Sequence, residues 1–286
     1  MANLKEIRNR ISSVSSTMQI TSAMKMVSAA KLKKAQDAIT AMRPYSDKLT
    51  ELLQGLGATL DADTGSRFAD QRVVKKVLIV AITSNRGLAG AFNSNIIKRV
   101  NVLTNEVYAN EDVSYLTIGK KANDAFKKTK NIVANRGDVY DDLTFDNVAA
   151  IAEMLMDQFL IHKADKIVLV YNKFKNAATQ EIMTEQFLPI VPIESEVKLS
   201  VDYIFEPSKR EIVEQLIPKS LKTQLYKALR DSFASEHGAR MTAMHKATDN
   251  ATELRDQLKL TYNKARQASI TNEILEIVGG AEALNN

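Results

Sequence analysis

The sequence contains no cysteine and no tryptophan, and only 10 glycines and 5 prolines among 286 residues. The absence of cysteine excludes disulfides, thiolate metal centres and thiol nucleophiles, and it suits a reducing compartment. So few glycines and prolines leave little turn punctuation, which predicts long uninterrupted elements. No apolar run approaches the ~18 residues of a membrane span. The first residues, MANLKEIRNR, lack the apolar core of a secretory signal. A cytosolic protein is the expectation.

What is present is unevenly charged. The formal net charge is +5. Residues 1–57 alone carry nine Lys/Arg against four Asp/Glu, residues 208–286 twelve against ten, and the middle 18 against 20. The densest basic stretch holds Lys31, Lys33 and Lys34. It reads as a solvated helix face or as a surface for an acidic partner. Nucleic acid is the weaker partner, because no aromatic residues are interleaved.

The N-terminal segment has helical periodicity. Leu4, Ile7, Ile11, Val14 and Met18 alternate by three and four residues, a heptad-type stripe. Asn3 and Glu6 have capping-box spacing. The stripe drifts after Thr21 and resumes through Met24, Val27, Ala30, Ala35, Ile39, Met42, Leu49 and Leu52. Pro44 is expected to kink or interrupt this helix, and Gly55 and Gly57 to end it. At the other end, Met244, Ala247, Ala251, Leu254, Leu258, Thr261, Ala265, Ala268, Asn272 and Leu275 form a longer stripe, and Gly279 and Gly280 make a C-terminal stop. At ~1.5 Å per residue, about 70 helical residues span on the order of 100 Å. A compact middle of ~150 residues has a radius of gyration of only ~15 Å. The long helix is therefore expected to project and to find a partner, because an isolated helix is marginal in water. The N-terminal stripe supplies one, so an antiparallel coiled coil is predicted. The many Ala, Ser, Thr and Met on its inner face make it slender.

Between these segments, strands and helices alternate. Strands are predicted at Val77–Ile82, Val113–Gly119, Asn131–Ala134, Lys166–Phe174 and Glu181–Ile190, with helices at about Phe92–Tyr108 and Phe145–Lys163 and a short one after the second strand. This is an α/β pattern, a mostly parallel sheet with an antiparallel edge. The resulting division is 1–57 helix, 58–207 α/β domain and 208–286 helix.

Chemistry is sparse. The loop TSNRGLAGAFNSN, Thr83–Asn95, follows a strand and precedes a helix, where phosphate loops sit. It has only Gly87 and Gly90 and no Lys after Gly90, so neither G-x-x-x-x-G-K-[ST] nor G-x-G-x-x-G is present. A tight turn, with Asn93 or Ser94 near the helix start, is the simpler account. The three histidines, His162, His237 and His245, suggest no metal site, and His245 with Asp249 reads as a surface pair. Asp141 and Asp142 read as a solvated loop. No catalytic group, cofactor site or metal site emerges.

Four stretches together resemble a known family: LKEIRNRISSVSSTMQITSAMKMVSAAKLKKAQ, TSNRGLAGAFNSN, SFASEHGARMTAMHKATDNA and NKARQASITNEILEIVGGAEAL. In this order they resemble the gamma subunits of rotary (F-type) ATP synthases, over nearly the whole chain. The resemblance implies two long antiparallel helices plus a Rossmann-like α/β domain, serving as a central rotor shaft without an active site of its own. It implies alpha and beta subunits, an epsilon subunit and the membrane c ring as partners, with proton flow coupled to ATP formation. No nucleic acid and no cofactor are implied. Met24 and Lys25 are expected to face the acidic lever loop of beta. Arg266, Gln267 and Thr271 are expected to contact the catalytic ring, and Phe205, Glu206 and Pro207 to lie near the c ring. The cysteine pair of chloroplast gamma subunits is missing and no transit peptide is visible. A bacterial protein, peripheral on the cytoplasmic face of the inner membrane, is the expectation. Two other readings stay open: a nucleotide-binding α/β enzyme resting on Gly87–Gly90, and a basic coiled-coil scaffold.

Overall fold

The computed structural model describes residues 4–57, 67–190, 206 and 209–285. Helix α1 is Leu4–Gly57 and α5 is Lys209–Asn285. Between them lie β1 (Lys76–Ile82), α2 (Phe92–Val102, continued by a π-turn, Leu103–Val107), β2 (Asp112–Ile118), α3 (Lys120–Phe126), β3 (Ile132–Asn135), α4 (Phe145–Leu160), β4 (Lys166–Phe174) and β5 (Gln180–Leu188). The chain forms two compact units, Met1–Ser28 with Met241–Asn286, and Ala29–Arg240.

In the unit Ala29–Arg240 the strand order is β3-β2-β1-β4-β5. β1 pairs in parallel with β2 and β4, and β2 with β3, while β5 runs antiparallel on the β4 edge. The central strand KVLIVAI is apolar on both faces because both are covered. Leu78, Val80 and Ile82 point into a core shared with α4 (Ile151, Leu155, Phe159) and α5 (Leu221, Leu225, Leu229). Val77, Ile79 and Ala81 point the other way, onto Ile96 and Val100 of α2 and Phe126 of α3. The result is a three-layer α/β sandwich, with the first half of α5 as part of one outer layer.

In the unit Met1–Ser28 with Met241–Asn286 the two helices pair antiparallel. Arg8 donates to the Tyr262 hydroxyl at 2.8 Å, Thr252 donates to the Met18 sulfur at 3.3 Å, and Thr248 donates to the Thr21 hydroxyl at 2.8 Å. In each pair the residue numbers add to 269 or 270, so the register is constant.

Four details differ from the sequence reading. After Met18 the buried positions among the described side chains of α1 are Thr21, Ser28, Leu32, Ala35, Ile39, Ser46 and Leu49, whereas Val27 is exposed and so is Ala30. The heptad never drifts. It continues through hydroxyl residues whose donors are satisfied inside the helix, Ser28 to the Met24 carbonyl and Thr21 to that of Met18. On α5 the covered positions from Met244 onward are Met244, Ala247, Thr248, Ala251, Thr252, Arg255, Leu258, Tyr262, Ala265 and Ser269. Ala247 is covered as expected, but Leu254, Thr261 and Ala268 are exposed and the residue after each is covered instead, because Arg255 and Tyr262 cover the seam with their stem and ring. Pro44 does not interrupt α1. It is exposed, as is Thr40, so the carbonyl that loses its donor can turn to water. Finally, α5 runs through Gly279 and Gly280. Glycine permits a stop without imposing one, and the residues after it, Ala281, Glu282 and Ala283, are good helix formers. The Asn3 part of the expected cap lies outside the described residues.

Candidate functional site

In a doubly wound sheet, ligands bind at the C-terminal strand ends where the strand order reverses. Here that point lies between β1 and β4, and the loop Thr83–Ala91 borders it. Its polar groups are turned inward. The Ser84 amide donates to Asn93 Oδ1 at 3.0 Å, and the Ser84 hydroxyl donates to the Arg86 carbonyl at 2.6 Å. Asn85 donates to the Gly137 carbonyl and accepts from the Lys120 amide. Leu88 and Gly90 hold positive φ, which folds the loop back onto the start of α2. This is a tight, self-satisfied turn rather than a row of amides open to a phosphate.

The crevice is filled by α5. Ser235 donates to the carbonyl of Asn172 on β4 at 3.0 Å, while the Asn172 amide donates to the Phe92 carbonyl. Arg240 donates to the carbonyls of Gly87 and Arg86 at 3.2 and 3.3 Å and pairs with Glu236 at 2.6 Å. The side chains of Arg240 and Glu236 are only 8% and 10% exposed. A buried ion pair is tolerable when its remaining donors are satisfied, which the two loop carbonyls do. Burial pushes the Glu236 carboxyl up, and Arg240 opposes the shift. His237 is pushed down to about 4 by burial, by Arg240 and by Lys31. It is therefore neutral at pH 7. Its ring nitrogens have no partner among the described residues, and its ring meets Phe233 edge-on at 4.5 Å. His237 packs as an aromatic. His245 pairs with Asp249 on the surface at 3.2 Å, and Asp141 and Asp142 are exposed.

The second candidate surface is the coil. Its constant register sets Leu4 opposite about Arg266. Beyond that point α5 continues to Asn285, and residues 270–281 are all exposed. Ile270, Ile274, Leu275, Ile277 and Val278 lie open at 47% to 71% exposure. Arg266, Gln267 and Thr271 share this end and are exposed, although the Thr271 hydroxyl is committed to the Gln267 carbonyl at 2.9 Å. Met24 and Lys25 are half-buried. By register they stand opposite about residues 245–246, roughly 30 Å along the helix from Arg266. The two groups are not one site. Glu206 is exposed in a bend, while Phe205 and Pro207 lie outside the described residues.

Sequence reasoning gave no role to Glu236, Arg240, Ser235 or Asn172. A signal existed for the first two: opposite charges four residues apart among small neighbours, Ala234, Gly238 and Ala239, mark a helix face pressed against backbone. Gly238 is such a contact, since a Cβ there would sit 3.2 Å from the Ala177 backbone.

Comparison with known proteins bears on both surfaces. The family model described as ATP synthase matches residues 3–284. The ATP synthase gamma chain of Flavobacterium psychrophilum is 73% identical over 99% of both chains. That of Flavobacterium johnsoniae is 72% identical over the full length of both, and that of Geobacter metallireducens 44% identical over 99% of both. Among solved structures, a chain of the Euglena gracilis mitochondrial ATP synthase OSCP/F1/c-ring shares the fold with TM-score 0.68 at 21% identity, covering 98% of this chain and 94% of that one. A chain of the rotor from the same organism does so with TM-score 0.66 at 23% identity, covering 93% and 98%. The family model spans nearly the whole chain and these relatives match it from end to end, so the chain belongs to the ATP synthase gamma-chain family.

Proposed function

We propose that this chain is the central-stalk rotor of a bacterial F-type ATP synthase and carries no catalytic site itself. The observation that carries this reading is the free end of α5. A helix whose pairing with α1, among the described residues, ends near Arg266 yet keeps five large apolar residues exposed needs a further apolar surface to cover it. A ring of alpha and beta subunits closing around that end supplies one. Arg266, Gln267 and Thr271 then touch the ring, and Met24 and Lys25 meet an acidic loop of beta lower on the shaft. The segments 1–57 and 208–286 serve as shaft and 58–207 as its α/β domain. Phe205, Glu206 and Pro207 belong at the c ring, and the epsilon subunit binds alongside. The filled crevice between β1 and β4 supports a non-catalytic role over the nucleotide-binding reading. Among the described residues no helix is long and apolar enough to cross a membrane, which is compatible with peripheral attachment at the cytoplasmic face of the inner membrane.

The mechanism follows from asymmetry. Each angular position of the shaft presents different contacts to the three catalytic sites around it, and a ligand can shift an equilibrium only by its differential affinity for the two states. Rotation driven by proton flow therefore shifts each site in turn. The test is reconstitution with alpha and beta subunits. A stable complex with ATPase activity at least about tenfold above that of the components is expected, equivalent to ~1.4 kcal/mol of barrier. Failure to assemble would contradict the reading.

A further inference from the structure

Residues 67–75 lead into the central strand, and Arg72 ties the middle of this stretch to the end of α4. Its Nη1 donates to the Phe159 carbonyl at 3.2 Å, its guanidinium carbon lies 4.4 Å over the Phe159 ring, and its Nε donates to Asp70 at 3.0 Å. The shortest contact is of another kind: Nη1 is 2.6 Å from His162 Nδ1. His162 stands just past the helix with φ of +56°, and its amide donates to the same Phe159 carbonyl at 3.2 Å.

The chemistry of the two groups fixes the protonation state of this contact. A guanidinium has only donors and keeps its charge in proteins. Nδ1 of His162 is therefore the acceptor, and the imidazole is neutral with its proton on Nε2. A proton on Nδ1 would turn the hydrogen bond into a contact between two cations. The nearby charges do not offset it. Asp70 is held by Arg72, and Asp165 accepts from the Lys75 and Lys76 amides at 3.1 and 2.9 Å. Asp157, one turn earlier on α4, is exposed, and Lys163, the next residue, adds positive charge. A carboxylate in place of this imidazole would hold Arg72 throughout the neutral range. The imidazole makes the hold conditional, because it ordinarily changes charge between about pH 5 and 8. Arg72 is the fixed member, with a side chain 16% exposed, whereas His162 is exposed and free to turn out.

We propose that Arg72 and His162 form a proton-sensitive latch on the stretch that leads into β1. The latch is closed while the imidazole is neutral. When His162 takes up a proton, the ring turns out to water and the stretch loses its shortest tie to α4. The closed form binds one proton fewer than the open form, so falling pH favours opening and rising pH favours closure. Phe68, in the same stretch, accepts the Ile190 amide at 2.9 Å, so the opening is also felt where the chain leaves β5.

Amide hydrogen exchange of the full chain tests the latch without any other subunit, and so stands apart from the rotor role. Protection of residues 67–75 and of Ile190, corrected for the intrinsic pH dependence of exchange, is expected to be at least about tenfold lower at about pH 5.5 than at about pH 7.5, values that bracket the imidazole titration. The interior amides of β1 are expected to keep their protection. His162→Asn keeps an acceptor in the place of Nδ1 and tolerates the positive φ, but does not titrate. Its protection is expected to be equal at the two pH values. If that variant does not fold, the imidazole nitrogen resonances of the unaltered chain decide, with His162 expected to carry its proton on Nε2 at about pH 7.5. The opposite tautomer would overturn the proposal. So would protection that does not fall at the lower pH, an equal fall in His162→Asn, or a fall shared by the interior of β1.

Discussion

A chain ending at Ala265 is expected to fold normally in its sheet unit and to lose its grip on the alpha/beta ring. The coil contacts that define the register, Arg8 with Tyr262, Thr252 with Met18 and Thr248 with Thr21, all lie before the cut. So do the two sheet cores, which draw nothing from beyond Leu229. The melting temperature of the sheet unit should therefore move by no more than a degree or two. What is lost is the exposed apolar end, Ile270, Ile274, Leu275, Ile277 and Val278. Fully burying an aliphatic side chain is worth about 1.5–3 kcal/mol, and these begin about half exposed, so each can contribute roughly 1 kcal/mol on assembly. After ordering costs, a surplus of even ~3 kcal/mol is on the order of 100-fold in affinity. Affinity for the ring, measured by sedimentation or calorimetry beside a melting curve, checks this. Equal loss of fold and assembly would show the end to be structural rather than an interface.

Gly119→Ala is expected to act in the opposite place, collapsing the sheet unit. Gly119 joins β2 to α3 with φ of +110°, and a Cβ there would sit 2.1 Å from the Thr83 carbonyl oxygen and 2.6 Å from its carbon. Both atoms are backbone at the end of β1, so no side chain can swing aside. Thr83 is itself fixed, donating its amide to the Ile118 carbonyl and accepting from the Ala122 amide on its hydroxyl. Strained backbone and overpacking together are expected to cost 3 kcal/mol or more, an order of magnitude from the usual range for each. Gly279→Ala provides the contrast. It lies within α5 with nothing within 4 Å of the added carbon, so the helix gains about 0.5–1 kcal/mol. Denaturant unfolding of the sheet unit should show a large loss for Gly119→Ala and no shift for Gly279→Ala, whose gain is confined to the helix end.

The sequence made some features legible and hid others for physical reasons. β4 is found at the residues its apolar run indicates, Lys166–Phe174, because a strand buried on both faces leaves no choice of register. The antiparallel edge and the two coil helices were equally readable. On the inner face of the coil, Leu254, Thr261 and Ala268 give way to the residue after each, since apolarity is a poor guide where Arg255 and Tyr262 do the covering. The end of α5 could not be read from Gly279 and Gly280, because chain composition beyond them still favours helix. The role of Arg240 was invisible for a deeper reason. Its partners, the Gly87 and Arg86 carbonyls, are more than 150 residues away in sequence and are backbone atoms, so no residue type announces them. The free end of α5, in contrast, was conspicuous as a well-formed terminal helix, though only the register shows where its partner stops.

The most direct test of the rotor role uses the missing cysteine. With none in the native chain, Asp141→Cys at an exposed position gives a single attachment point on the sheet unit. The labelled chain is assembled with alpha and beta subunits, the ring is fixed to a surface through beta, and a bead on residue 141 is watched while ATP is added. Rotation in one direction, stopping when ATP is removed, is the predicted result. A bead that stays still in a complex that continues to hydrolyse ATP would contradict the account.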